Sequence, residues 1–157
     1  MNNDDLFLAR AIELAQNGSE LGEGGPFGAV IVSDGKIIAE SWNQVVVSRD
    51  PTAHAEIMAI RQACAAVDRF HLPKSTLYTS SEPCPMCLSA AYWAKIERIV
   101  FANTRAEAAA IGFCDDQLYS ELNRHFSARS IIMEHHPMPN GLLPMQQWAN
   151  NPQRTPY

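Results

Sequence analysis

The sequence predicts an α/β fold of three layers, a central mixed five-stranded sheet with helices on both faces. Three observations carry that prediction. An apolar hairpin opens the chain's first third, with Phe27 to Val32 as one strand, Asp34-Gly35 as the turn and Lys36 to Trp42 as the return. Strand-like and helix-period stretches then alternate to the end of the sequence, which implies a sheet covered on both sides. The chain has 157 residues and shows no repeat, low-complexity segment or linker, so it is expected to form one domain, residues 1–157, around one core.

The elements follow in order. Asn3 is expected to cap a first helix whose Phe7, Ala11, Leu14 and Ala15 form one stripe, with Gly18 ending it. A loop containing Gly22, Gly24, Gly25 and Pro26 leads into the hairpin. Asp50-Pro51-Thr52 reads as the next helix start, because Asp50 or Thr52 can cap and Pro51 is tolerated in a first turn. Ile57, Ile60, Cys64 and Val67 then recur at helical spacing and predict its buried face. Thr76 to Thr79 is a strand, the stretch through Cys87, Leu88, Ala91 and Trp93 a helix, and Arg98 to Ala102 a strand. Residues 105–125 read as helical, Ser130 to Met133 as the fifth strand, and a short helix follows Pro144.

Composition narrows the function classes. Hydrophobic residues make up 46 % of the chain, yet no uninterrupted apolar run is long enough to span a bilayer. Asp4, Asp5, Arg10 and Glu13 interrupt residues 1–17, so no secretory leader is expected and the chain should be cytoplasmic. The net charge of −5 argues against a polyanionic partner, since a surface that holds nucleic acid is usually basic. Two of the four cysteines fall in a metal-binding pattern, which argues against a disulfide framework.

That pattern is Pro-Cys-Pro-Met-Cys at 83–87, about thirty residues after His-Ala-Glu at 54–56. His54, Cys84 and Cys87 supply the imidazole and thiolate donors that zinc prefers, and three protein ligands leave a fourth tetrahedral position open. Cys64 and Cys114 sit in neither motif, so no fourth ligand closes the site as a structural zinc site would require. Glu56 is not needed for coordination and is free to carry protons. His-x-Glu with Pro-Cys-x-x-Cys is the mark of zinc nucleobase deaminases, in which the Glu is general acid and base. Cys84 and Cys87, three apart, share a helical face. His54 and Glu56, two apart, converge on one ion only if they lie in a helix's first turn, with the ion beyond the helix end. Both ligand groups are therefore expected at helix N-termini, where the dipole favours thiolates. One zinc per chain is expected.

The sequence resembles the cytidine deaminase superfamily over nearly its whole length and, within it, most resembles bacterial guanine deaminases. Gly-Gly-Pro-Phe-Gly-Ala-Val at 24–30, Asp-Pro-Thr-Ala-His-Ala-Glu at 50–56 and Leu-Tyr-Thr-Ser-Ser-Glu-Pro-Cys-Pro-Met-Cys at 77–87 are shared with tRNA adenosine deaminases as well. Gly-Phe-x-Asp at 112–115 and the final Tyr157 favour the guanine branch. The resemblance implies a cytidine-deaminase-like fold and hydrolytic deamination of guanine to xanthine and ammonia, by a homodimer acting on a free base. It implies that Asn43 hydrogen-bonds the purine, that Phe27 packs against its ring, and that Tyr157 contacts it, in a neighbouring subunit's pocket. Trp93, six residues beyond Cys87, walls the pocket or fills the core. Cys114 stands where the family has the first of an acidic pair, which leaves Asp115 and Asp116 as candidates for the second carboxylate.

In the expected mechanism Glu56 takes a proton from the attacking water, delivers it to the ring nitrogen beside C2 and helps protonate the departing ammonia. Asp115 holds the amine, and the Ala55 amide donates to the base. His71, His125, His135 and His136 are expected to be solvated rather than ligands. Three other readings stand beside this one. A tRNA wobble adenosine deaminase would need a basic groove, against which the net charge and the singly charged tail at 150–157 count. Cytosine, isocytosine or an aminotriazine would serve the same zinc chemistry. A non-catalytic, zinc-stabilised binding module would have no use for Glu56.

Overall fold

The computed structural model of the chain describes residues 3–157, in two compact units, the first running up to Gln117 and the second Leu118–Tyr157. In the first, α1 (Asn3–Glu20) precedes β1 (Gly28–Ser33) and β2 (Lys36–Trp42). A short α2 (Val45–Ser48) and α3 (Ala55–Val67) lead to β3 (Ser75–Ser81), α4 (Pro85–Trp93), β4 (Arg98–Asn103) and α5 (Arg105–Ala110). The strand order is β2-β1-β3-β4. β1 pairs antiparallel with both β2 and β3, whereas β3 and β4 run parallel, so the sheet is mixed as expected.

β1 shows how one segment serves two faces. Successive strand side chains point to opposite sides. Ala29 and Ile31 join Leu77 and the Ala55, Ala59 and Ala63 side of α3, while Val30 and Val32 join Tyr78 and the Ala11 and Leu14 side of α1. A sheet buried on both faces reads as the continuous apolar run of β1 rather than as an alternating one. Far from the α3 side, Arg98 donates to both oxygens of Asp4 at 2.9 and 2.6 Å and Tyr78 Oη donates to Asp4 at 2.6 Å, tying the start of α1 to β3 and β4.

Several expected boundaries move. The helix read from Asp50 starts at Ala55, because Asp50 Oδ1 accepts from the Thr52 amide and hydroxyl and closes a turn instead of capping a helix. Its buried face is the small one, Ala59 and Ala63, with Ile60 and Cys64 flanking the core and Val67 exposed. Small side chains let the helix lie close on the sheet. Gly18 does not end α1. It lies inside the helix against Trp42, where a Cβ would come 2.3 Å from the indole Cδ1. The helical stretch from 105 breaks at Gly112, whose φ of 99° is costly for any residue with a side chain, and resumes as α6 (Asp116–Leu122).

Among the described residues the sheet has four strands, not five. Ser130 to Met133 carries β-branched residues but joins no ladder, and Ile131 and Ile132 are exposed. A short apolar run is a weak strand signal when nothing pairs with its backbone. The second unit holds the end of α6, a 3-10 turn (Phe126–Ala128) and α7 (Leu143–Asn150), which places Pro144 in its first turn. Arg129 donates to the Glu121 carbonyl, and Glu121 accepts from the Ser130 amide, so this segment is held by its own polar contacts. Among the described residues, no helix is long and apolar enough to cross a membrane.

Candidate active site

His54 is the N-cap of α3 and Cys84 the N-cap of α4, both with extended backbone. Ala55 and Glu56 begin the first turn of α3, and Pro85 starts α4 with the pre-set φ that suits a first helical position. The strand β3 delivers its helix start beside that of α3, so the His and Cys groups meet across 30 residues of sequence. His54 and Glu56 share a site because one lies on the cap and the other in the first turn.

His54 Nδ1 lies 3.6 Å from Cys84 Sγ and 3.5 Å from Cys87 Sγ, and the three ligand atoms are within 4.8 Å of one another. A zinc ion with ordinary tetrahedral Zn–N and Zn–S bonds would hold nitrogen and sulfur about 3.6 Å apart. The donor chemistry and the spacing therefore both fit zinc, with one coordination position left for a small ligand.

The charges are arranged around that point. The Cys87 thiol donates to Cys84, and with His54 beside it the Cys84 thiol is lowered to about 4. Cys87 is pushed up by its bond to that thiolate and by burial. The hydrogen bond with Cys84 raises His54 against the opposing effect of burial. Glu56, only 6 % exposed, is raised above the ordinary carboxylate range chiefly by burial. Asp115 is raised by burial and then by the Cys84 charge. A carboxyl shifted upward in a cleft is the state a general acid-base group needs near neutral pH.

A cavity of about 440 Å³ opens onto these groups, lined by His54, Glu56, Cys84 and Asp115 and walled by Phe27 and Asn43. Asn43 Oδ1 accepts from the Gly25 and Val45 amides, both at 3.2 Å, which fixes the amide and leaves its Nδ2 hydrogens for a ligand. Phe27 lines the cavity and also packs against the α3-side core. Asp116, by contrast, is an exposed α6 residue 3.7 Å from Arg105. Ala55 is buried, and its amide is among the first-turn donors that no helix carbonyl can satisfy. Trp93 neither lines the cavity nor fills the core: it is 68 % exposed at the end of α4. Six residues past Cys87 is about a third of a turn off that residue's face, which explains the position. Tyr157 belongs to the second unit and is 75 % exposed.

Phe113, Glu82 and Ser81 are among the other residues that line the cavity and had been assigned no role. Phe113 lies within Gly-Phe-x-Asp, where the motif drew attention only to its acid. Glu82 accepts the Arg105 amide at 3.0 Å, and Ser81 precedes it. All three lie inside the recognised stretches 77–87 and 112–115.

Three nitrogen and sulfur donors at two helix starts, with a buried carboxyl beside them and a cavity roomy enough for a purine in front, fit a metal-dependent hydrolytic deaminase. The family model for the cytidine and deoxycytidylate deaminase zinc-binding region matches residues 1–103. The chain belongs to this zinc-binding deaminase family. It is 46 % identical over 155 residues, 99 % of each chain, to the guanine deaminase of Bacillus subtilis. It resembles the X-ray structure of guanine deaminase from that organism with a TM-score of 0.96, covering 100 % of this chain and 99 % of the other. A tRNA-specific adenosine deaminase of Haemophilus influenzae is 43 % identical over 118 residues, 72 % of this chain and 68 % of that one.

Proposed function

We propose that the protein hydrolyses guanine to xanthine and ammonia, a step of purine breakdown. The observation that carries this reading is the likeness to a guanine deaminase over 99 % of both chains, against a likeness to a tRNA-specific adenosine deaminase that covers 72 % of this chain and 68 % of that one. It supports treating residues 1–157 as one working deaminase domain.

Zinc held by His54, Cys84 and Cys87 would lower the pKa of a bound water to about 7. The chain's own groups do the rest. Glu56 removes a proton from the attacking water, passes it to the ring nitrogen beside C2, and carries the second proton to the departing amine. A carboxylate that accepts a proton from water can return it to the base and the leaving amine. Asp115 accepts from the exocyclic amine and aligns it for departure. Asn43 offers donors only, so it selects an acceptor edge such as a ring carbonyl or imine nitrogen. Phe27 covers the ring face, and the Ala55 amide donates to the base. On this reading the enzyme works in the cytoplasm as a homodimer on a free base, without a nucleic-acid partner, and Tyr157 lends its hydroxyl to the base in the neighbouring subunit's pocket.

Ammonia release from a panel of free bases, nucleosides and tRNA tests the proposal. Guanine should be the fastest substrate and xanthine its product. Faster release from cytosine, an aminotriazine or tRNA would replace guanine as the substrate and leave the zinc chemistry standing.

A further inference from the structure

The end of β3 carries three consecutive hydroxyls, and two of them are consumed within the protein. Thr79 Oγ1 donates to the Ser81 carbonyl at 3.1 Å, and Ser80 Oγ accepts the Gly28 amide at 3.0 Å. The third is not. Among the described residues, Ser81 Oγ is the one buried side-chain oxygen or nitrogen without a hydrogen-bond partner. An unpaired buried hydroxyl costs stability, and folded proteins rarely keep one without a use for it.

Its location says what the use is. Residues two apart on a strand face the same side, so Ser81 lies on the side of Leu77, which packs against α3, the helix that begins at His54. Ser81 is 6 % exposed and lines the same cavity as Asn43, Glu56 and Asp115. Those three cover the simple demands of a base edge: Asn43 donates, and the carboxylates accept. A hydroxyl can do either and rotates to suit.

We propose that Ser81 is a further substrate-binding residue, whose hydroxyl hydrogen-bonds a polar edge atom of the bound base. The proposal rests on the reading of this cavity as a nucleobase site but not on the base being guanine. Binding completes the hydrogen bonding of a group that folding leaves unsatisfied, so the interaction exists only with ligand present.

The test is an equilibrium one. The base that most raises the thermal midpoint of the zinc-loaded protein is titrated into Glu56→Gln, where turnover does not consume it, and into Glu56→Gln with Ser81→Ala. Loss of one buried hydrogen bond should raise Kd about tenfold. Zinc content should not change, and the ligand-free midpoint should stay level or rise, because an unpaired hydroxyl has been removed. Equal Kd values in the two backgrounds would overturn the proposal. So would a weaker Kd accompanied by zinc loss or a lower ligand-free midpoint, since that would make Ser81 a packing residue. A base other than guanine emerging from the first screen would count against the guanine reading and leave the Ser81 comparison intact.

Discussion

Phe113 meets Phe27 edge-on, with ring centroids 4.8 Å apart and ring planes at 89°. Phe27 leads into β1, and Phe113 sits two residues before Asp115 in the break between α5 and α6. The ring pair therefore ties the segment that carries the second carboxylate to the start of β1, an inner strand of the sheet.

Phe113→Ala should lower kcat/KM for guanine by roughly 2- to 12-fold, the ~0.5–1.5 kcal/mol of such an aromatic pair. Zinc content should be unchanged, and Phe113→Tyr should recover most of the loss. Wild-type kinetics in the alanine variant would show that Asp115 is held by other means.

Glu56→Gln preserves the size of the side chain but not its proton. Zinc should stay bound while kcat falls by at least ~10²- to 10⁴-fold. Cys84→Ala should do the reverse, losing metal and lowering the thermal midpoint, since metal binding contributes to folding free energy. Metal analysis and steady-state rates on both variants separate the proton carrier from the ligand.

Asp115→Asn should reduce kcat far more than Asp116→Asn, because the first lines the cavity and the second faces Arg105 from an exposed helix start. The opposite order would assign the amine to Asp116.

Asp4 supplies a pH test of the fold. Hydrogen bonds from Arg98 and Tyr78 lower its pKa from 3.8 to about 2. A depressed carboxyl stabilises the folded state above its unfolded pKa, and that contribution disappears as pH falls through the folded value. The thermal midpoint of Asp4→Asn should therefore lie below that of the wild type above about pH 4, and the gap should close between pH 4 and pH 2. High salt should narrow the gap at neutral pH, because the pair is exposed. A gap independent of pH would assign the effect to packing.

Deleting residues 153–157 should leave zinc and thermal stability nearly intact while kcat/KM for guanine drops sharply. If Tyr157 acts across a dimer, inactive full-length subunits mixed with truncated ones should restore part of the activity. Unchanged kinetics after deletion would remove Tyr157 from the site.

The legible parts of the sequence were those whose chemistry is local. Cys84 and Cys87 declare themselves by spacing, and the Asp34-Gly35 hairpin by its turn residues, and the structure contains both features. Positions that depend on distant partners were harder. Asp50 looks like a cap until its bonds to Thr52 are seen, and Gly18 looks like a helix end until Trp42 lies on it. Ile131 and Ile132 have strand-forming side chains but no neighbouring backbone to pair with. Ser81 was invisible for the same reason in reverse: its neighbours' hydroxyls find partners, and only three-dimensional accounting shows that its own does not.

Because His54 caps one helix and Cys84 another, with 30 residues and the strand β3 between them, the ligand set has no precursor in the extended chain. The complete donor set exists only where the two helix starts meet, so resistance to chelators should track the local opening of this seam as well as the stability of the whole fold.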